Sequence, residues 1–205
     1  MAQKEEKILK WTTVIATIAT SVLAATALIT VYITLSGWQA QREASRPYLT
    51  FKETPKVALN EHLSFDLRFV NVGTHPAINL WSKTLVFEQG LTQNPVHIDE
   101  YTLVNDIPKD SSSALIIDIE KKDVNPEQEN INPYYIVISL EYGDPIIDKT
   151  YSQTIFVKWN GKTKGEEQSI VHVEAKERDR ILNYLDQQKI GLTRGSKQRW
   201  SLKKA

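Results

Sequence analysis

The chain has 205 residues, 25 of them basic and 25 acidic, and no cysteine. The missing thiols exclude disulfides, thiolate metal sites and a cysteine nucleophile. The charge balance hides a segregation: residues 47–174 carry 11 Lys/Arg against 19 Asp/Glu, and residues 175–205 carry 9 against 3. An acidic body argues against nucleic-acid binding across the whole domain, while the basic end leaves room for a local polyanion contact.

After a short polar tail, residues 1–11, the stretch 12–35 runs without a charge, Gly, Pro or amide side chain. A helix of this length reaches about 36 Å, enough to cross a hydrocarbon core of about 30 Å with some tilt. Trp11 and Trp38 bracket it, where indoles favour the headgroup layers. A cleaved signal peptide, cut near Ala25-Thr26-Ala27, is the competing reading, but the apolar run is longer than such peptides need. The stretch therefore predicts a retained transmembrane helix and a lipid bilayer as one partner. Thr13, Thr17, Thr20, Ala24, Ala27, Val31 and Thr34 fall on one helical face. A seam of small residues lets two such helices approach closely, so homo-oligomerisation through the anchor is expected.

Orientation is nearly balanced, with Lys4, Lys7 and Lys10 before the span and Arg42, Arg46, Lys52 and Lys56 after it. The basic end of the chain tips the reading towards an inner membrane with the soluble domain on the cytoplasmic side. Residues 36–46 form a helical linker that must stop before Pro47.

Residues 47–174 then read as strands. In LSFDLRFVNV, Leu63, Phe65, Leu67 and Phe69 alternate with Ser64, Asp66 and Arg68, the period of a half-buried strand. Tyr48, Thr50 and Lys52 alternate likewise with Leu49 and Phe51. Further strands are expected at 77–87, 101–104, 114–120, 134–142, 150–159 and 168–173. Turns are expected at Asn71-Val72-Gly73, Asn94-Pro95, Asn105-Asp106, Asn132-Pro133, Gly143-Asp144-Pro145 and Asn160-Gly161. Residues 121–133 read as a polar loop. Many short strands with no intervening helix predict an antiparallel β-sandwich.

Residues 175–189 switch to helical period, with Ile181, Leu182 and Leu185 as the apolar stripe and Gly191 as the stop. A basic tail, residues 190–205, follows. Its Arg194, Lys197, Arg199, Trp200, Lys203 and Lys204 are the candidate contacts to membrane or partner.

RPYL at 46–49, followed by NVGTHPAIN at 71–79, resembles a loose group of mostly uncharacterised bacterial single-pass membrane proteins. In that group an immunoglobulin-like β-sandwich follows the membrane helix. Its N-x-G-x-x-P-A-x-N hairpin falls here on Asn71, Gly73, Pro76, Ala77 and Asn79. The resemblance implies that fold and no reaction.

Chemistry-bearing residues are scattered. His62, His75, His97 and His172 show no metal-ligand spacing. His97 with Asp99 and Glu100 reads as a polar loop, and His75 as a turn residue. Ser111, Ser112 and Ser113 lack a G-x-S-x-G elbow, and no glycine-rich phosphate loop is present. Glu141, Asp144 and Asp148 read as an acidic surface turn rather than a calcium loop. No catalytic, cofactor-binding or metal-binding residue is assigned. The sequence points to a membrane-anchored sandwich that binds an unidentified protein partner or a ligand without catalysis. The alternative is an oligomeric membrane effector gated by a small anionic ligand.

Overall fold

The computed structural model describes residues 2–194, with side chains from Lys10 onward. The chain divides into two compact units, Met1–Ser45 and Arg46–Ala205. The first is one helix, α1 (Ala2–Ala44). It is continuous, so the expected N-terminal tail and linker are both turns of the same helix. From Lys10 to Ala44 it is long and apolar enough to cross a membrane, and none of the apolar window is buried. Hydroxyls along the apolar stretch bond back to their own helix: Thr17 to the Thr13 carbonyl and Thr34 to the Thr30 carbonyl, at 2.9 and 2.8 Å. Thr20, Ser21, Thr26 and Thr30 do the same. Each such bond removes a polar group that hydrocarbon would leave unpaired. At the far end the Arg42 guanidinium lies 5.0 Å from the centre of the Trp38 ring.

The second unit is a β-sandwich carrying one helix. Its strands are β1 (Leu49–Phe51), β2 (Lys56–Leu59), β3 (Leu63–Asn71), β4 (Ile78–Glu88), β5 (His97–Leu103), β6 (Ser112–Ile119), β7 (Tyr134–Asp144), β8 (Lys149–Trp159), β9 (Lys162–Thr163), β10 (Glu166–Glu167) and β11 (Ile170–His172). All pairings are antiparallel. β3 is the middle of the small sheet, with β6 along one edge and β1 and β2 sharing the other. The large sheet has the order β11-β8-β7-β4-β5. β9 and β10 form a separate two-stranded ribbon.

The alternation in β3 works as expected: Leu63, Phe65 and Leu67 have no exposed surface, Phe69 is buried, and Arg68 faces solvent. They meet Ile136, Ile138, Leu140, Val157 and Trp159 of the large sheet in one core between the sheets. Trp159 stands edge-on to Phe65 and stacks with Tyr134. Each fully buried Leu, Ile or Phe contributes about 1.5–3 kcal/mol, so this core holds the sheets together.

The outer face of the large sheet carries a second apolar cluster under α2 (Ala175–Gln187). Leu85, Phe87, Tyr135 and Val137 lie on it, and Ile181, Tyr184 and Leu185 of α2 cover them. Leu182, expected on the stripe, is exposed, and Tyr184 takes the place. The spacing 181, 184, 185 is the true helical face, and Leu182 lies about 100° away from Ile181 on a 3.6-residue turn. The helix also stops before Gly191. Lys189 adopts the left-handed conformation (φ 53). Its N–H bonds the Asp186 carbonyl, and the Ile190 N–H bonds the Leu185 carbonyl. This is the Schellman arrangement with lysine in the usual glycine position, completed by Ile190 packing on the cluster.

Other expectations are corrected. β2 and the β9–β10 ribbon were not foreseen, and Asn160-Gly161 leads into that ribbon rather than closing a hairpin. Gly143 and Asp144 belong to β7, so the turn begins at Pro145. His97, Asp99 and Glu100 lie within β5. The segment 121–133 is no plain polar loop, because it buries Val124 and Ile131, and Ile131 bridges to Lys162.

Candidate functional site

Two places gather polar side chains and exposed edges. The first lies after β3, on the N-x-G-x-x-P-A-x-N residues. Asn71 has no exposed surface, and all four of its amide valences are used. Its Nδ2 donates to the carbonyls of His75 and Ile107 at 2.8 and 3.0 Å, and its Oδ1 accepts from the N–H groups of Tyr48 and Gly73 at 3.1 and 3.0 Å. One side chain thus ties three chain segments together. At Gly73 an added Cβ would stand 2.1 Å from the Arg46 carbonyl oxygen, so only glycine lets the strand entry pass. Ala77 pairs with Ile107 through both backbone groups. Asn79 sits at φ 52, where the β4–β7 register shifts, a bulge in a conformation asparagine tolerates well.

His75 was read as a turn residue, and it is a buried partner. Its Nδ1 is 2.7 Å from Asp144 Oδ2, with side-chain exposures of 10% and 0%. Asp144 Oδ1 also accepts the Ile146 N–H at 2.9 Å. Asp144 is therefore a buried brace rather than part of an acidic surface turn, and no described group bonds His75 Nε2. A carboxylate orienting an imidazole is an element of acid–base sites. Here the pair is enclosed and no nucleophile is bonded to it, so its demonstrable work is to hold the end of β7 against the turn after β3.

The second place is the side of the sandwich where β1–β2 and β11 face each other. Near one end this side is stitched. Gln153 Nε2 donates to the Leu49 carbonyl at 2.8 Å, and the Tyr142 hydroxyl reaches the Pro47 carbonyl at 3.4 Å. Further along, the sheets part into a cleft of about 410 Å³ lined by Phe51, Glu53, Pro55, Val157, Ile170 and His172. An adjoining depression continues past Val57 to Glu167 and Gln168.

The register shows which backbone groups face the cleft. Asn160 donates to Ser169 and Val173 to Phe156, so the odd residues of β11 bond β8. By antiparallel alternation the N–H and C=O of Ile170 and His172 point to the open edge. The same reasoning on Lys52 to Arg68, and Asn60 to His62, turns Phe51 and Val57 outward on the opposite wall. Glu167 lines the adjoining depression and makes no ion pair among the described residues. Partial burial pushes the Glu167 carboxyl above its usual range. Glu53, at the lip of the cleft, is engaged by Lys56 at 3.0 Å and Arg68 at 3.5 Å.

The remaining candidates fall apart in space or outside view. His62 pairs with Asp118 at 3.2 Å on the exposed face of the small sheet. Among the described residues no group of three His, Asp or Glu could hold a metal. Trp11 and Trp38 are exposed on α1. Of the basic contacts, Arg194 is described, and Lys197, Arg199, Trp200, Lys203 and Lys204 lie outside the described residues.

A family model described as a domain of unknown function, DUF8453, matches residues 11–161. The chain belongs to this family. The DUF8453 match runs from Trp11 at the start of the apolar stretch through β8, and so includes the Asn71 turn and the β1–β2 wall of the cleft. β11, α2 and the basic end lie beyond it. No curated protein matches the chain.

Proposed function

We propose that this DUF8453 protein is a single-pass inner-membrane protein whose immunoglobulin-like sandwich is a binding module for a protein partner. The observation that carries the reading is the cleft with free backbone edges on both walls, on a sandwich whose other polar groups serve the fold. Edge strands with unmet N–H and C=O groups recognise extended segments by strand addition. The Asn71 amide, by contrast, is saturated internally, and no described nucleophile is bonded to the His75–Asp144 pair, which supports binding over catalysis. α1 anchors the module, and its small-residue seam brings copies together. Because its hydroxyls are spent on their own carbonyls, the seam works by close approach rather than by interhelical hydrogen bonds. The acidic lip does not suit a small anionic signal, so the gated-effector alternative is not adopted.

Two measurements test this. The chain should stay with membranes after alkaline extraction. Having no cysteine of its own, it can carry a single reporter, Asp123→Cys. With the module in the cytoplasm that thiol reacts with an impermeant maleimide only after permeabilisation, and labelling of intact cells reverses the orientation. A photo-reactive residue at Thr54, on the cleft wall, should give a discrete adduct heavier than one chain in membranes. Its absence there, with the same residue at exposed Asp118 as control, would end the binding reading.

A further inference from the structure

The two ends of the sandwich differ in what their loops show to solvent. At the end where the chain enters, Val104 is 74% exposed, Val72 and Ile146 are 50% exposed, and Tyr48 is 45% exposed. Pairing sets all four at this end. The Tyr48 carbonyl accepts from the Val72 N–H, Ile78 of β4 faces Gly143 of β7, and Leu80 faces Leu103, the residue before Val104. The loops at 72–77, 104–111 and 145–148 therefore project together. Among the described residues, the loops at the other end, 60–62, 89–96 and 121–133, expose no large apolar side chain. Single apolar residues on a surface mean little, but several gathered at one end and none at the other mark a contact surface.

The charges of this rim fit lipid better than an ionic partner. Arg46, Lys109 and Lys149 are matched by Asp106, Asp110 and Asp148, so the exposed loops carry no net charge. Pro108 and Pro145, both exposed, add apolar surface. The chain itself brings this end to the bilayer. Residues 36–44 carry α1 about 13 Å past the apolar stretch, against a headgroup layer of about 5–8 Å on each side. The residues 45–48 that join α1 to β1 reach up to about 14 Å. The entry end is thus within reach of lipid. The cleft opens beyond the Gln153–Leu49 and Tyr142–Pro47 stitches and stays clear of it.

We propose that the entry end of the sandwich docks on the bilayer, with Val72, Val104 and Ile146 entering the lipid beneath the headgroups. The docking rests on reading α1 as a membrane anchor. It is apolar insertion by a neutral rim, so it needs no anionic lipid and does not weaken with salt. The module then stands on the membrane through its rim as well as its anchor, and presents the cleft at a fixed height instead of swinging on one tether.

The test places the full chain in vesicles of zwitterionic lipid that carry a nitroxide at the top of the acyl chains. A single fluorophore is attached through Val72→Cys or, at the other end, through Asp123→Cys. The label at Val72→Cys should be quenched at least about twofold more strongly than the one at Asp123→Cys, as only the rim enters the lipid. Val104→Ser with Ile146→Ser, two exposed positions outside the core, should bring it down to the Asp123→Cys level. Quenching should be the same in about 1 M salt. Equal quenching at the two ends overturns the proposal, and so does a serine pair that changes nothing. Quenching that needs anionic lipid or is lost in salt overturns it as well. An unquenched Val72→Cys that cross-links to a second chain assigns the rim to self-association and rejects the docking. Alkaline extraction of the same vesicles keeps this inference apart from the anchor reading. A chain that stays with an unquenched label keeps the anchor and loses the docking, whereas a chain that is released loses both.

Discussion

The core between the sheets and the cluster under α2 share the strands of the large sheet, yet each is braced by different chemistry. In the first, Asn71 holds its neighbours with a neutral amide bonded to four backbone groups drawn from residues 48 to 107. In the second, Glu177 accepts from Lys158 at 2.8 Å and from the Tyr135 hydroxyl at 2.9 Å, a charged brace between helix and sheet. Burial works against the Glu177 charge, but those bonds and the one from the Glu174 backbone outweigh it and hold the carboxyl below its usual range. The same bond raises the Lys158 ammonium against an opposing loss of hydration. The difference implies two tiers. The inter-sheet core is indifferent to pH through its amide, and α2 is an attachment that acid loosens.

The comparison breaks first at Leu67. Leu67→Asp places a carboxylate where no surface is exposed, a penalty of several kcal/mol against a total stability of about 5–15. The cooperative thermal transition of the detergent-solubilised chain should disappear, and an unchanged melting temperature would mean that this face is not core. Asn71→Asp comes next. It removes two donors from buried carbonyls and sets a charge beside them, costing about 3–5 kcal/mol by denaturant titration. A loss below about 1 kcal/mol would show that the amide is dispensable.

Ile181→Ala should cost about 2–4 kcal/mol, confined to the second tier. Exchange should quicken in α2 while β3 and β7 amides stay protected, and a uniform loss would merge the two tiers into one. Glu177→Gln should cost about 1–2 kcal/mol near neutral pH, since a charged acceptor is replaced by a neutral one. The sign follows from the lowered carboxyl. Its contribution is present above the unfolded value near 4.5 and is lost as pH falls through the lower folded value. The Lys158 contribution is complete below about 10.5 and fades as pH rises through its raised folded value. Wild type and the Gln variant should therefore converge at acid pH, and a constant gap would remove the charge from the account. The smallest effect is at Thr84, whose buried Oγ1 has no partner among the described residues. Thr84→Val should leave stability unchanged or raise it by about 1 kcal/mol, as the unpaired hydroxyl disappears.

Sequence reading reached the main strands by alternation, as in β3, and by a continuous apolar run bounded by turn residues, as in β7. It missed β2, where Val57 and Leu59 are the only alternating pair and Pro55 stands just before them. The two-residue strands β9 and β10 are too short to carry any period. His75 could not be paired from sequence, because its partner Asp144 lies 69 positions away. That pairing is a product of topology. Tyr184 was legible, since it lies three residues after Ile181, but its hydroxyl disguised an apolar ring. That hydroxyl is satisfied by the Gln93 carbonyl. The cleft was invisible because it is made by what the two edges leave unpaired. Asn71, Gly73 and Ala77 were recognised as a pattern, and the structure supplies the reason for each.

The outer edge of the small sheet is cut in two. β1 covers three residues of β3 and β2 covers four, and between them one backbone bond, from Lys52 to Arg68, precedes the break at Glu53–Pro55. β11, across the cleft, is only three residues long. A long unbroken edge is a template on which further copies can stack without end, and short, charged, proline-interrupted edges deny it. On the strand-acceptor reading proposed above, crowded copies of this chain would add no more than one short strand to one another. A surface able to accept a strand therefore does not become the seed of a fibre.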